Sequence, residues 1–170
     1  GVFRLLTLFG GFTPCWGSAS FWGSLFSSEA TYGTLLAGHT PDDILNARLI
    51  LMWGWNPAET IQKTNTAWYL AQAREQGAHI VAIDPRFTDS AAAFAREWAP
   101  IRPGTDVYLL AAMLHQVFAE HQVQLGPAKA YVDGIEKLRA AVAPFTPERA
   151  ATQTGISATD ICQLTRDYCR

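Results

Sequence analysis

The sequence predicts a three-layer α/β domain with a mostly parallel sheet, and three observations predict it. Arg48–Trp53 (Arg-Leu-Ile-Leu-Met-Trp) and Ala78–Ile83 (Ala-His-Ile-Val-Ala-Ile) are short, nearly continuous apolar runs. Runs of that kind are parallel strands covered on both faces, because an antiparallel strand with one wet face would alternate apolar with polar residues. Between them, Thr60 to Gln76 carries Ile61, Thr64, Trp68 and Ala71 at helical spacing and stops at Gly77. The span 48–83 is therefore a strand–helix–strand unit, which in a parallel sheet crosses over right-handedly. The third observation is that both strands end in polar turns, Gly54 onward and Asp84 onward, where a Rossmann-like sheet opens its crevice.

The other elements follow in order. Residues 2–9 read as a helix stopped by Gly10-Gly11, and 10–39 as a long irregular loop rich in Gly, Ser and aromatics, a functional loop by its length. Thr40-Pro41-Asp42-Asp43 is a helix start, with a threonine cap, proline in the first turn and an acid three residues on. A short helix follows Thr88, then a strand near Glu97–Ile101. Asp106 to Gln122 is a long helix with an apolar stripe of Val107, Leu110, Ala111, Leu114 and Phe118. The remainder is helical: 127–132, 135–142, a start at Thr146-Pro147-Glu148, and Ser157 to Cys169 capped by Ser157 with Asp160. One domain is predicted over 1–170, divided into a loop region 1–39, a Rossmann-like core 40–122 and a helical part 123–170.

Composition narrows the function. A chain of 170 residues and 18.6 kDa is long enough for one real core. Its 13 basic and 15 acidic residues leave a net charge of −2 and no basic stripe, which argues against nucleic acid as a partner. No apolar run reaches the roughly 18–20 residues of a membrane span, so direct membrane insertion is not expected. A charged fraction of only 16% alongside 6 Trp and 9 Phe points to surface that another body covers. Cys15, Cys162 and Cys169 have no metal-ligand spacing; Cys162 and Cys169, seven apart, share a helix face and read as buried free thiols. Four histidines show no pairing at catalytic spacing. The start at Gly1-Val2-Phe3, without an initiator Met or a signal peptide, predicts a piece of something larger.

The chemistry sits in three turns. After the first strand, Gly54-Trp55-Asn56-Pro57-Ala58-Glu59-Thr60 lacks the Gly-x-Gly-x-x-Gly pattern of an ordinary NAD site. Gly54 allows close backbone approach, Asn56 offers an amide, and Thr60 either caps the helix or touches an anion; a plain strand-to-helix turn reads equally well. Asp84, after the second strand, stands where an acid meets ribose hydroxyls in dinucleotide folds, or else makes the turn before Pro85. Arg86 pairs with a phosphate or with a surface carboxylate. Asp106 opens the long helix. A carboxylate accepts N1–H and N2–H of guanine together, which adenine cannot offer, yet helix N-termini favour acids in any case.

Together the motifs resemble the molybdopterin oxidoreductases of the dimethyl sulfoxide reductase type. The matching residues are Met52-Trp-Gly-Trp-Asn-Pro-Ala-Glu-Thr60, Ile83-Asp-Pro-Arg-Phe-Thr-Asp89 and Trp98-Ala-Pro-Ile-Arg-Pro-Gly-Thr-Asp106, in order and at fitting separations. Thr146-Pro147-Glu148, Thr154-Gly155-Ile156, Ile161, Leu164 and Arg166 continue the likeness, as does the region from Gly10-Gly11-Phe12 to Tyr32-Gly33, so it covers essentially the whole chain.

The resemblance implies one of the family's Rossmann-like domains, gripping a molybdopterin guanine dinucleotide that carries molybdenum. Gly54, Trp55, Asn56 and Thr60 would face its phosphates and guanosine, Asp84 and Arg86 the ribose and nearby groups, and Gly104 and Asp106 the guanine. Ser20 is the expected molybdenum ligand, although Ala19 stands where the family's tyrosine is usual; Ser18 and Cys15 are the alternatives. The parent is expected to reduce an S-oxide or N-oxide, with electrons arriving through iron–sulfur clusters outside this chain. Its partners would be its own remaining domains and iron–sulfur and membrane-anchor subunits, in the periplasm. The competing expectation is a scaffold subunit of a respiratory complex with the same fold and no molybdenum. Trp16, Trp22 and Trp55 are expected to be exposed in the isolated piece.

Overall fold

The computed structural model describes residues 1–13, 21–35, 38–61, 65–120 and 131–170, and the chain falls into two compact units, Gly1–Thr40 and Pro41–Arg170. In the first unit, α1 (Val2–Leu8) ends before Gly10-Gly11, and a second helix, α2 (Trp22–Tyr32), lies where the sequence predicts only irregular loop. The composition of α2 explains why it is hard to see. Ser, Gly and Thr dilute its helix propensity, and Phe21 at its N-cap offers no side-chain acceptor; only Gly33 in the left-handed region marks its end.

The second unit opens with a 3₁₀ turn, Pro41–Asn46, at the predicted helix start. Its sheet is fully parallel, in the order β1 (Leu49–Trp53), β2 (His79–Ile83), β3 (Glu97–Ala99). The register pairs Leu49 with His79 through Trp53 with Ile83, then Val81 with Glu97 through Ile83 with Ala99. Side chains alternate across a strand, and here the alternation sorts two cores. Met52, Ile80 and Ala82 pack with Leu70 of α3 (Thr66–Glu75) and with Ala91 and Phe94 of α4 (Asp89–Phe94). Val81 and Ile83 face Leu109, Ala112 and Met113 of α5 (Asp106–Glu120), Ala150 of α7 (Pro147–Thr154) and Ile161 of α8 (Ala158–Tyr168). Helices on both faces make the predicted three layers, and α6 (Ile135–Val142) completes the helix-rich C-terminal part.

Local chemistry fixes several boundaries. Thr88 accepts from Ala91 N–H, Thr146 from Arg149 N–H and Ser157 from Asp160 N–H, so the helices expected after Thr88, at Thr146 and at Ser157 each open on a side-chain cap, of which the sequence named Ser157.

Five expectations are corrected. The helix expected from Thr60 begins only at Thr66, because Asn56 O accepts the N–H groups of Glu59 and Thr60 and closes a separate turn. Asn65, at φ +69°, then takes the left-handed conformation as the N-cap of α3. On α3 the buried residues are Leu70 and Ala73, whereas Ile61 and Trp68 are exposed. On α5 the buried residues are Leu109, Ala112, Met113 and Gln116, while Val107 and Leu110 of the expected stripe are exposed. Apolar residues run nearly all round this helix, so spacing alone does not select a face; packing against α7 and α8 does. Finally, β1 is only half-buried apart from Met52, and Cys169 is exposed where a buried thiol was expected. The helix expected at 127–132 falls mostly outside the described residues.

Candidate functional site

The candidate site is the rim formed by the turns that leave the carboxyl ends of the strands. After β1 the chain turns at Gly54, whose φ is +55° and whose N–H donates to Ile83 O across the sheet. A side chain there would be strained, although nothing lies within 4 Å of an added Cβ. Gly104, just before α5, is alike, with φ +76° and open space beside it. Both glycines therefore bare backbone to whatever occupies the rim.

Asn56 is engaged within the protein. Its Oδ1 accepts from Ser90 Oγ at 2.6 Å and from Ser90 N at 3.2 Å, while its Nδ2 donates to Glu59 Oε2 at 2.8 Å. Ser90 Oγ also accepts from Ala58 N–H at 2.9 Å. Ser90 is fully buried, so this knot ties the turn after β1 to the first turn of α4. Sequence reasoning passed over Ser90; its only signal is a hydroxyl two residues beyond the Thr88 cap. Trp55 is 38% exposed, Trp22 is exposed, and Thr60 is exposed at the end of the turn.

Asp84 follows β2 directly. Its Oδ1 accepts from Arg86 N at 2.8 Å, a bond that shapes the turn at Pro85, and its carbonyl accepts from Trp98 Nε1. Asp84 thus makes the turn, and its Oδ2 takes no hydrogen bond from a described residue. Arg86 is largely exposed and lies 3.8 Å from Glu59 Oε2, a loose pair that solvent screens.

Asp106 is the first residue of α5, and its Oδ1 accepts from Trp53 Nε1 at 2.7 Å in a partly buried setting. The contact joins the last residue of β1 to a helix 53 residues later. The turn before Asp106 is fixed in its own right. Arg102 N donates to Thr154 O, the Arg102 guanidinium donates to Thr152 O at the end of α7, and Thr105 Oγ1 donates to Arg102 O. The structure therefore brings Gly54, Trp55, Asp84, Gly104 and Asp106 to the turns at one end of the sheet and its following helix. Asn56 and Arg86 reach that end already holding internal partners.

Ser20, with its alternatives Ser18 and Cys15, lies outside the described residues, as does Trp16. Among the described residues no three His, Cys, Asp or Glu side chains gather as a metal site, and no helix is long and apolar enough to cross a membrane. Desolvation pushes the half-buried Cys162 thiol above its ordinary range, the reverse of what a reactive thiolate needs. His115 Nδ1 sits 3.3 Å from Val142 O, a packing role. A cavity of 590 Å³ lined by Arg48, Leu49, Leu51, His79, Tyr168 and Arg170 opens at the opposite, amino-terminal ends of the strands. It contains none of the rim residues.

A parallel sheet with helices on both faces, one acid directly after a strand and another at the start of the following long helix defines a doubly wound α/β domain whose ligand crevice lies beyond the carboxyl ends of its strands. Comparison with known proteins then places it. The family model described as molybdopterin oxidoreductase matches residues 6–143, and the chain belongs to that family. It is similar to dimethyl sulfoxide reductase DmsA of Escherichia coli, with 34% identity over 98% of this chain and 23% of the relative. It is also similar to the thiosulfate reductase molybdopterin-containing subunit PhsA of Salmonella typhimurium, with 36% identity over 78% of this chain and 17% of the relative. Among solved structures, acetylene hydratase from Pelobacter acetylenicus superposes with a TM-score of 0.73 at 23% identity, covering 96% of this chain and 22% of that one. The chain thus spans between 17% and 23% of the length of these relatives.

Membership implies a molybdenum–pterin cofactor. The rim fits a group of that kind: two glycines leave backbone open, and two carboxylates each keep an oxygen that no described residue uses.

Proposed function

We propose that this chain holds the guanosine half of a molybdopterin guanine dinucleotide in a molybdenum-dependent oxidoreductase. The supporting observation is Asp106, a carboxylate held by Trp53 at the end of β1 and keeping one oxygen that no described residue uses. Guanine offers two parallel N–H donors to such a group, and charge-assisted paired bonds of this type are strong and specific. Gly54 and Gly104 give the ligand its close backbone approach, and Trp55 lies against the nucleoside. Asp84 takes the ribose hydroxyls through Oδ2. Arg86, Thr60 and the Asn56 amide border the phosphates, with Glu59 yielding Arg86 to the stronger anion.

When bound, the cofactor supplies two-electron oxygen-atom exchange at molybdenum. The residues described here bind and orient it, and Ser20 is the proposed ligand to the metal. On this reading the parent reduces an S-oxide or N-oxide in the periplasm. It works with its own remaining domains and with iron–sulfur and membrane-anchor subunits.

Two measurements test the proposal. Titration with guanosine and adenosine diphosphates should show guanine-selective binding that Asp106→Ala abolishes; equal binding of the two nucleotides overturns it. Metal analysis of the parent should return about one molybdenum or tungsten per chain, and a metal-free protein would instead be a scaffold.

A further inference from the structure

We infer that Trp53 is a positioning residue for base recognition: its indole N–H locks the plane of the Asp106 carboxylate and so sets selectivity for a 2-amino purine. The inference rests on the reading of Asp106 as the base acceptor and adds a residue that this reading does not need. Three features carry it.

The first is the fixity of the donor. Trp53 ends β1, paired in register with Ile83, and its side chain packs against the core formed with α5, α7 and α8. Ring and backbone are thus both held, and the indole nitrogen has a single donor and no acceptor. The second is the geometry of the bond. At 2.7 Å and partly buried, it pins Oδ1 and stops rotation of the carboxylate about its last torsion.

The third is what stays open. Oδ1 keeps a second lone pair and Oδ2 accepts nothing from the described residues. Both oxygens can therefore receive N1–H and N2–H, provided their plane matches that of the base. An acid placed at a helix N-terminus only to meet the macrodipole needs no indole partner from 53 residues away.

The inosine base tests this, because it keeps N1–H and lacks the 2-amino group. Guanosine, inosine and adenosine diphosphates are titrated calorimetrically into the protein and into Trp53→Phe, Trp53→His and Asp106→Asn, with urea unfolding of each as the check on folding. The native protein should prefer the guanosine over the inosine nucleotide about tenfold, the scale of one well-made paired contact. Trp53→Phe should bring that ratio below about threefold, and Trp53→His, which keeps a ring N–H, should recover part of it. Should the Phe variant not fold, Trp53→Leu removes the donor while keeping an apolar side chain at the site and answers the same question.

A ratio unchanged in the variant lacking the N–H overturns the inference and makes the bond structural only. If Asp106→Asn loses the ratio while Trp53→Phe keeps it, the guanine reading stands and only the role of Trp53 falls. If the native protein does not distinguish guanosine from adenosine nucleotides, the guanine reading itself fails, and this inference with it.

Discussion

Two long-range knots hold the rim of the sheet, and they differ in what they leave available. The Asn56–Ser90 knot joins residues 34 apart, and every polar atom of the Asn56 side chain has a protein partner within it. The Trp53–Asp106 knot joins residues 53 apart, yet it uses one carboxylate oxygen and leaves the other open. One knot is closed on itself and the other is half-made. A buried donor or acceptor that loses its partner costs more than an exposed one. The closed knot should therefore register mainly in stability and the half-made one mainly in ligand binding.

The largest expected effect is Ser90→Ala. It removes the buried hydroxyl that the Ala58 N–H and the Asn56 carbonyl oxygen share, leaving Asn56 only the backbone N–H of residue 90, and should destabilise the domain by about 2 kcal/mol. Urea unfolding measures it, and a loss below about 0.5 kcal/mol would mean the knot is slack. A double-mutant cycle with Asn56→Ala sharpens the point. The two changes should be strongly non-additive, because residues in one hydrogen-bond network share their loss.

Next comes Asp106→Asn, which keeps an acceptor for Trp53. Its stability cost should stay under about 1 kcal/mol, the range of a single exchanged hydrogen bond, while guanine selectivity disappears. A larger fall in stability with selectivity intact would reverse the comparison. Arg86→Ala should do less still. Its pair with Glu59 is long and exposed, so stability should shift by no more than about 0.5 kcal/mol. Only the affinity for the diphosphate group should weaken, by titration.

The smallest effect lies away from the rim and gives the baseline of a purely local contact. Hydrogen bonds from its own backbone N–H and then from Thr146 hold the Glu148 carboxyl below its ordinary value of 4.5. A carboxyl lowered in the folded state adds stability above that ordinary value and loses it as the pH falls through the folded one. Unfolding midpoints measured from pH 7 to pH 3 should fall slightly less steeply for Glu148→Gln. An identical acid limb would remove the group from the account.

The same contrast between local and distant contacts explains what the sequence could disclose. The strands, the helix between them and the helix starts after Thr88, at Thr146 and at Ser157 are announced by residues within a few positions of one another, and all were legible. So was the placement of Asp84 and Asp106 at the ends of elements. The start of α3 was not, because the turn closed by Asn56 O competes locally with the helical pattern. The buried face of α5 was not, because an almost wholly apolar helix leaves the choice to its neighbours. Neither knot could be read at all: nothing near Trp53 announces a carboxylate at 106, and nothing near Asn56 announces a hydroxyl at 90.

The indole-to-carboxylate bond also has a bearing on order of events. Its two ends meet only once the sheet edge, two crossovers and the long helix have all settled, since distant pairs must overcome the entropy of the chain between them. The seat for the base would thus be among the last features to mature, and a half-formed domain would show no preference between purines. Nucleotide discrimination, followed through refolding, would serve as a clock for the final docking of that helix.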